Sequence, residues 1–226
     1  MAILRTLSEK PWIDKHTGPE LYESPLVTDL HAKQIALNML LAIITVLFTL
    51  FIVTFLARSQ YPDFKALSAD VWQPFYDTSR LWINTSLLVI SSIFIQLAIF
   101  ALKKEKVKYA LLFVLLSLIF TLQFLFAQLW LGVHLYDLGF YVTSNPANSY
   151  FYVFTTVHAL HLIGGLLVLL HVVVRFWLKN SEQRLLNSLI LCSKYMHYLL
   201  VIWLALFALM TSSPETYKTL AALCGY

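Results

Sequence analysis

Five apolar runs, at 33–57, 82–102, 109–131, 150–178 and 189–211, divide this 226-residue chain, and each is roughly 20 residues or longer. A predominantly apolar stretch of that length crosses the hydrocarbon core of a bilayer, about 30 Å thick, as a helix. Backbone N–H and C=O groups find no water there, so each run must satisfy them internally, which a helix does. The expected fold is therefore all-α, an integral membrane bundle of five transmembrane helices. Composition agrees: the chain is 59% hydrophobic and 12% charged, with a mean hydropathy of +0.73, against about 25% charged in soluble domains. The division that follows is a polar arm at 1–32 carrying Pro11, Pro19 and Pro25, a membrane domain at 33–212, and a short tail at 213–226. No second folded domain fits in this length. A cleaved signal peptide is not expected, because the first apolar run begins late, is long and has no small-residue cleavage site.

Lysines and arginines set the expected orientation. Arg5, Lys10, Lys15 and Lys33 lie on the arm, Lys103, Lys104, Lys106 and Lys108 on the second loop, and Arg175, Lys179 and Arg184 around the fourth. These eleven face four on the other side, Arg58, Lys65, Arg80 and Lys218. The positive-inside rule then puts the N-terminus in the cytoplasm and the C-terminus outside, in the periplasm. Trp72, Trp82, Trp130, Tyr136, Tyr141 and Tyr150 gather near the outer ends, as an interfacial aromatic belt does. Pro62 and Pro74 make the first outer loop irregular, and Gly139 with Asn145-Pro-Ala-Asn148 reads as turns. The net charge of +4 is spread over loops between apolar runs, which points to membrane orientation and not to nucleic acid. Cys192 and Cys224 form no CxxC and suggest neither a disulfide framework nor a metal site.

The interior limits the function. None of the five runs contains Asp or Glu, and ion-coupled pumps and transporters usually need an ionisable relay at depth, most often a carboxylate. Phosphate-cradling loops, Gly-x-Ser-x-Gly and HExxH are missing too. No self-sufficient active site is expected. The polar residues at depth are Asn38, Asn84, Gln96, Gln123, Gln128, His158, His161, His171, Lys194 and His197. Amides there serve interhelical hydrogen bonds worth about 0.6 kcal/mol each. Lys194 and Arg175, near inner helix ends, can extend toward the interface.

The histidines carry two readings. One is b-type haem, with His171 and His197 at similar depth near the inner face, and His158 or His161 facing His134 near the outer one. Helix geometry argues against two stacked haems. His158 and His171 point roughly 140° apart, and His161 and His171 about 80° apart with only about 15 Å between them along the axis. The other reading is structural: a membrane histidine bonds a neighbouring helix or a lipid head group. Gly164 and Gly165, just below His161, allow either close helix approach or a cleft for an acyl chain.

Two segments resemble a known family. His158-Ala-Leu-His-Leu-Ile-Gly164 is similar to the H-x-L-H-x-x-G signature of subunit III of haem–copper respiratory oxidases. Tyr195-Met-His-Tyr-Leu-Leu-Val-Ile-Trp203 resembles that family's Y-W-H-F segment with its downstream tryptophan, and Asn145-Pro-Ala-Asn-Ser-Tyr-Phe-Tyr152 its approach to the first motif. The motifs come in family order, on the fourth and fifth helices of a chain with the topology of the five-helix bacterial form. The resemblance covers about 80–212, and the first helix by position alone.

It implies a non-catalytic subunit of a bacterial terminal oxidase that reduces oxygen to water and pumps protons. The chain would lie in the inner (plasma) membrane, packed on the catalytic subunit I and other oxidase subunits. Haem and copper would sit in those partners and none in this chain, which would hold phospholipid. His158, His161, Gly164, Gly165, Arg175, Lys179, His197 and Trp203 are then the lipid or subunit contacts, with Arg175 and Lys179 at inner head groups. Several family features are missing. Leu40-Leu-Ala-Ile-Ile-Thr-Val-Leu-Phe48 has no acid where many members carry a glutamate, Met196 replaces a tryptophan, and Leu199 and Leu200 stand where an acid often follows the histidine. No proton-handling role is carried over with those acids. The alternatives are an accessory subunit of a nitric oxide reductase and a b-type cytochrome membrane anchor.

Overall fold

The computed structural model describes residues 25–67, 78–178, 182–223 and 225. Lys179, Trp72, Pro74, Cys224 and the arm up to residue 24 lie outside them. Six helices follow in order: α1 Pro25–Arg58, α2 Ser79–Lys103, α3 Val107–Asp137, α4 Pro146–Trp177, α5 Glu182–Thr211 and α6 Pro214–Leu223. The first five hold the five apolar runs, and each is long and apolar enough to cross a membrane. The described residues contain no strand, so the chain has the expected all-α, five-span architecture. Internal contacts divide it into two units, 1–36 and 37–226. Of the first unit the described part is the start of α1, and the packing below is that of the second.

The backbones that come closest are those of α2 with α3, α3 with α4, α2 with α5 and α4 with α5. Small residues explain the α2–α3 seam. Ser91 Oγ reaches Ser117 O at 2.9 Å and Thr121 Oγ1 at 2.7 Å, and Ala98 and Ala110 are fully buried. Small and hydroxyl side chains let membrane helices approach and hydrogen-bond across the seam. Among the described residues α1 makes no such close approach. Rings hold it at a distance: Phe48 lies 5.7 Å from His161, and Phe55 5.8 Å from Phe154.

Two turns shape the ends. Lys104, Glu105 and Lys106 join α2 to α3, with Glu105 at φ 58 so that Lys106 N–H can donate to Ala101 O at 3.0 Å. At α4, the Asn145 side chain accepts from Ala147 N at 3.2 Å ahead of Pro146, an N-cap followed by proline in the first turn. The same amide donates to Lys65 O at 2.6 Å and accepts from Lys65 N at 3.3 Å. It thus fastens the first outer loop to the head of α4. The expected tail, 213–226, carries α6. Tyr217 from this helix is buried, packs 5.3 Å from Phe55, and donates its hydroxyl to Leu209 O at 2.9 Å. That burial pushes its phenol pKa up.

Candidate functional site

His158 sits where four helices meet. Its ring is 1% exposed, 5.1 Å from Trp203 of α5 and 6.1 Å from Phe124 of α3. Phe124 and Trp203 contact each other edge-on at 5.0 Å. His158 Nε2 lies 3.1 Å from Leu199 O of α5. A carbonyl only accepts, so Nε2 carries the proton and donates it. Trp203 is fully buried and donates Nε1–H to Thr85 Oγ1 of α2 at 3.0 Å. Thr85 in turn donates to Leu81 O at 2.8 Å. These three buried donors, on His158, Trp203 and Thr85, each end on an acceptor, as hydrocarbon surroundings favour. Phe124 and Trp203 thus wall the imidazole on two sides. Among the described residues no three His, Cys, Asp or Glu side chains converge as a metal site would need.

The two glycines divide the roles that the sequence left open. Gly165 is buried, and a Cβ there would lie 2.7 Å from Met196 Sδ and 3.0 Å from the Tyr195 ring. This is the close approach of α4 and α5. Gly164 has nothing nearer than the Tyr195 hydroxyl at 3.9 Å. It floors a groove of about 260 Å³ with Leu37, Leu40, Val168, Leu191 and Tyr195. Tyr195 stands between the two and donates its hydroxyl to His161 O at 3.0 Å.

The remaining candidates are more peripheral. His161 donates Nδ1–H to Val157 O at 2.7 Å and His197 to Ser193 O at 2.7 Å, both along their own helices. Each ring is half-buried at the bundle surface. Arg175 donates to Ser188 Oγ at 3.0 Å, bridging the neighbouring ends of α4 and α5. His171 is exposed, and His134 stacks on Trp130 at 5.6 Å. The structure thus brings His158, Gly165 and Trp203 together in one buried seam. His161, Gly164, Arg175 and His197 are distributed around its edge.

Sequence reasoning missed three features. Leu199 contributes only its carbonyl, and Phe124 and Thr85 lie on other helices, so no motif marks them. A second groove, of about 470 Å³ between α3 and α4, is lined by Leu125, Gln128, Gly132, Tyr136, Tyr152 and Thr155 among others. Beside it Asn84 donates to Gln128 Oε1 at 3.0 Å, and Gln128 Nε2 is buried without a partner among the described residues. Thr45, in the segment that lacks the family acid, meets the Tyr198 hydroxyl at 2.6 Å.

Fold and seam define a multi-pass α-helical membrane protein whose central histidine is a packing and hydrogen-bonding residue. No model of a known protein family matches the sequence. Curated bacterial proteins do. The chain is 30% identical over 124 residues to a probable cytochrome c oxidase subunit 3 of Nocardia farcinica, a match spanning 55% of this chain and 61% of that protein. It is 25% identical over 133 residues to the cytochrome bo(3) ubiquinol oxidase subunit 3 of Buchnera aphidicola subspecies Baizongia pistaciae, spanning 59% and 69%. With the cytochrome c oxidase subunit 3 of Corynebacterium diphtheriae it shares 27% over 123 residues, spanning 54% and 60%. The similarity thus covers 60–69% of the length of these relatives. They carry the family name that the two motifs pointed to. With five spanning helices, the chain is a multi-pass plasma-membrane protein.

Proposed function

We propose that this chain is subunit III of a bacterial haem–copper terminal oxidase, a non-catalytic partner of the subunit that reduces oxygen. The observation that carries the reading is the convergence of both motifs on one seam. His158 and Gly165 at the first motif meet Met196, Leu199 and Trp203 of the second. The seam joins two stretches of sequence into one packed α4–α5 pair. Relatives named for both cytochrome c and ubiquinol oxidases support the same role with either electron donor. Haem and copper belong to the partner subunits in this reading.

The chain also holds phospholipid. The Gly164 groove is apolar and open toward the membrane, and its size suits part of an acyl chain. Arg175, with Lys179 beyond it in sequence, supplies charge for a head group. The expected orientation keeps these cations on the cytoplasmic side. The test is affinity purification of the tagged chain in mild detergent. The catalytic subunit should come with it in stoichiometric amount, together with phospholipid that Gly164→Leu displaces. Recovery of the folded chain without an oxidase subunit would sink the proposal.

A further inference from the structure

Lys194 is the one Lys or Arg well inside the α5 run, and it is exposed on the membrane-facing surface. Its ammonium donates to Asn38 Oδ1 of α1 at 2.6 Å. That neutral amide is its one polar contact among the described residues. None of the five apolar runs has a carboxylate to neutralise it. Asn38 lies six residues from the middle of the span Leu30–Arg58, or about 9 Å along the axis, whereas head groups begin about 15 Å from the midplane. The charge is therefore tied sideways to α1, short of the phosphates, with two N–H donors left over.

The surroundings fit an interface. α1 is the least buried of the five spans, with 22% of its apolar window covered against 33–50% for the others. Its neighbouring hydroxyls are already satisfied within the chain. Thr45 donates to Leu41 O at 2.7 Å, and Tyr198 reaches the same carbonyl at 3.2 Å. Among the described side chains of this seam, Lys194 has unspent donors and a charge that no carboxylate balances. A cation at membrane depth is costly unless paired, and such residues mark a functional partner.

We propose that Lys194, positioned by Asn38, is the anchor point for a partner transmembrane helix that presents an Asp or Glu side chain at this depth. The helix lies along the α1–α5 seam, covers the exposed face of α1, and exchanges the lone ammonium for an ion pair out of water. This inference rests on the reading of the chain as a subunit of a larger membrane complex, and it names the docking face.

The test uses the tagged full-length chain purified from membranes in mild detergent, treated with a zero-length carbodiimide that couples amines to carboxylates. Wild type should form a cross-link between Lys194 and an Asp or Glu in a membrane helix of a co-purifying subunit. Lys194→Met should lower partner recovery about tenfold or more, because the partner's carboxylate is left buried and unpaired, and Lys194→Arg should retain it. The chain itself should stay folded in both variants, with a cooperative thermal melt, since Lys194 is exposed and Lys194→Met loses within the chain only the bond to Asn38. Undiminished recovery with Lys194→Met and no cross-link at Lys194 would overturn the docking face while leaving the subunit assignment standing. Loss of an anionic phospholipid, seen by native mass spectrometry, with the partner retained would assign Lys194 to a lipid phosphate and also overturn it. A Lys194 cross-link to a complex with no oxidase subunit would keep the docking face and remove the oxidase reading. Recovery of the chain alone would remove both.

Discussion

At the scale of single residues, neighbouring positions have opposite tolerances. Gly165 and Gly164 differ by one place in sequence, but an added Cβ meets the Tyr195 ring at 3.0 Å in one case and nothing under 3.9 Å in the other. Met196 can swing away, whereas the Tyr195 ring is tied to His161 O and cannot easily move. Gly165→Ala should lower stability by about 1–3 kcal/mol through overpacking, and Gly164→Ala should leave it near wild type. Thermal melts in detergent would separate them. Asn145 is the other sensitive residue. Asn145→Ala removes a helix cap and two bonds to Lys65, and should cost about 1–2 kcal/mol. The Asp63 carboxylate, beside Arg58, has its pKa held below the usual range by their hydrogen bond. A depressed carboxylate contributes stability above its unfolded pKa and loses it as pH falls through the folded value. The exposed pair should thus add a small acid-limb slope below about pH 4. Asp63→Asn should abolish that slope in melts run as a function of pH, and salt should shrink it.

At the scale of elements, helix identity was legible and contact identity was not. A run of twenty apolar residues in lipid has one backbone solution, so α1 to α5 could be read directly. The ends were harder. Asn145-Pro146 was visible as a turn, but its pairing with Lys65, 80 residues away, is tertiary. Helix α6 had its start signals in Ser213 and Pro214, yet its ten residues are too few to cross a bilayer and are easily taken for tail. Of the candidate site, His158 and Trp203 stood out because they are costly or bulky at depth. Their partners did not, because Leu199 offers a carbonyl and Phe124 is one of 16 phenylalanines. The α2–α3 turn offers a direct test. Glu105 holds φ 58 without being glycine, a left-handed conformation that costs an L-residue roughly 1–2 kcal/mol. Glu105→Gly should therefore raise the melting temperature modestly, with Lys106 N–H still bonded to Ala101 O.

At the scale of the whole molecule, the five spans are unequally covered, and α1 is the least buried of them. Four helices close around the His158 seam, while α1 is held off by rings and leaves the Gly164 groove and the Lys194 face beside it. Loop charge predicts an N-terminus in the cytoplasm and a C-terminus outside. Fusions of a cytoplasm-only and a periplasm-only reporter after residue 226 should show activity for the periplasmic one. On the proposed reading, this chain serves an oxidase without carrying its redox centres. The measurement closest to it is a reduced-minus-oxidised visible spectrum, taken first on the gently purified complex and then on the chain after its partners are stripped away. Haem bands in the complex that vanish completely from the isolated, still-folded chain are the expected result. A b-type band that stays with the isolated chain would make its own histidines haem ligands and overturn that reading.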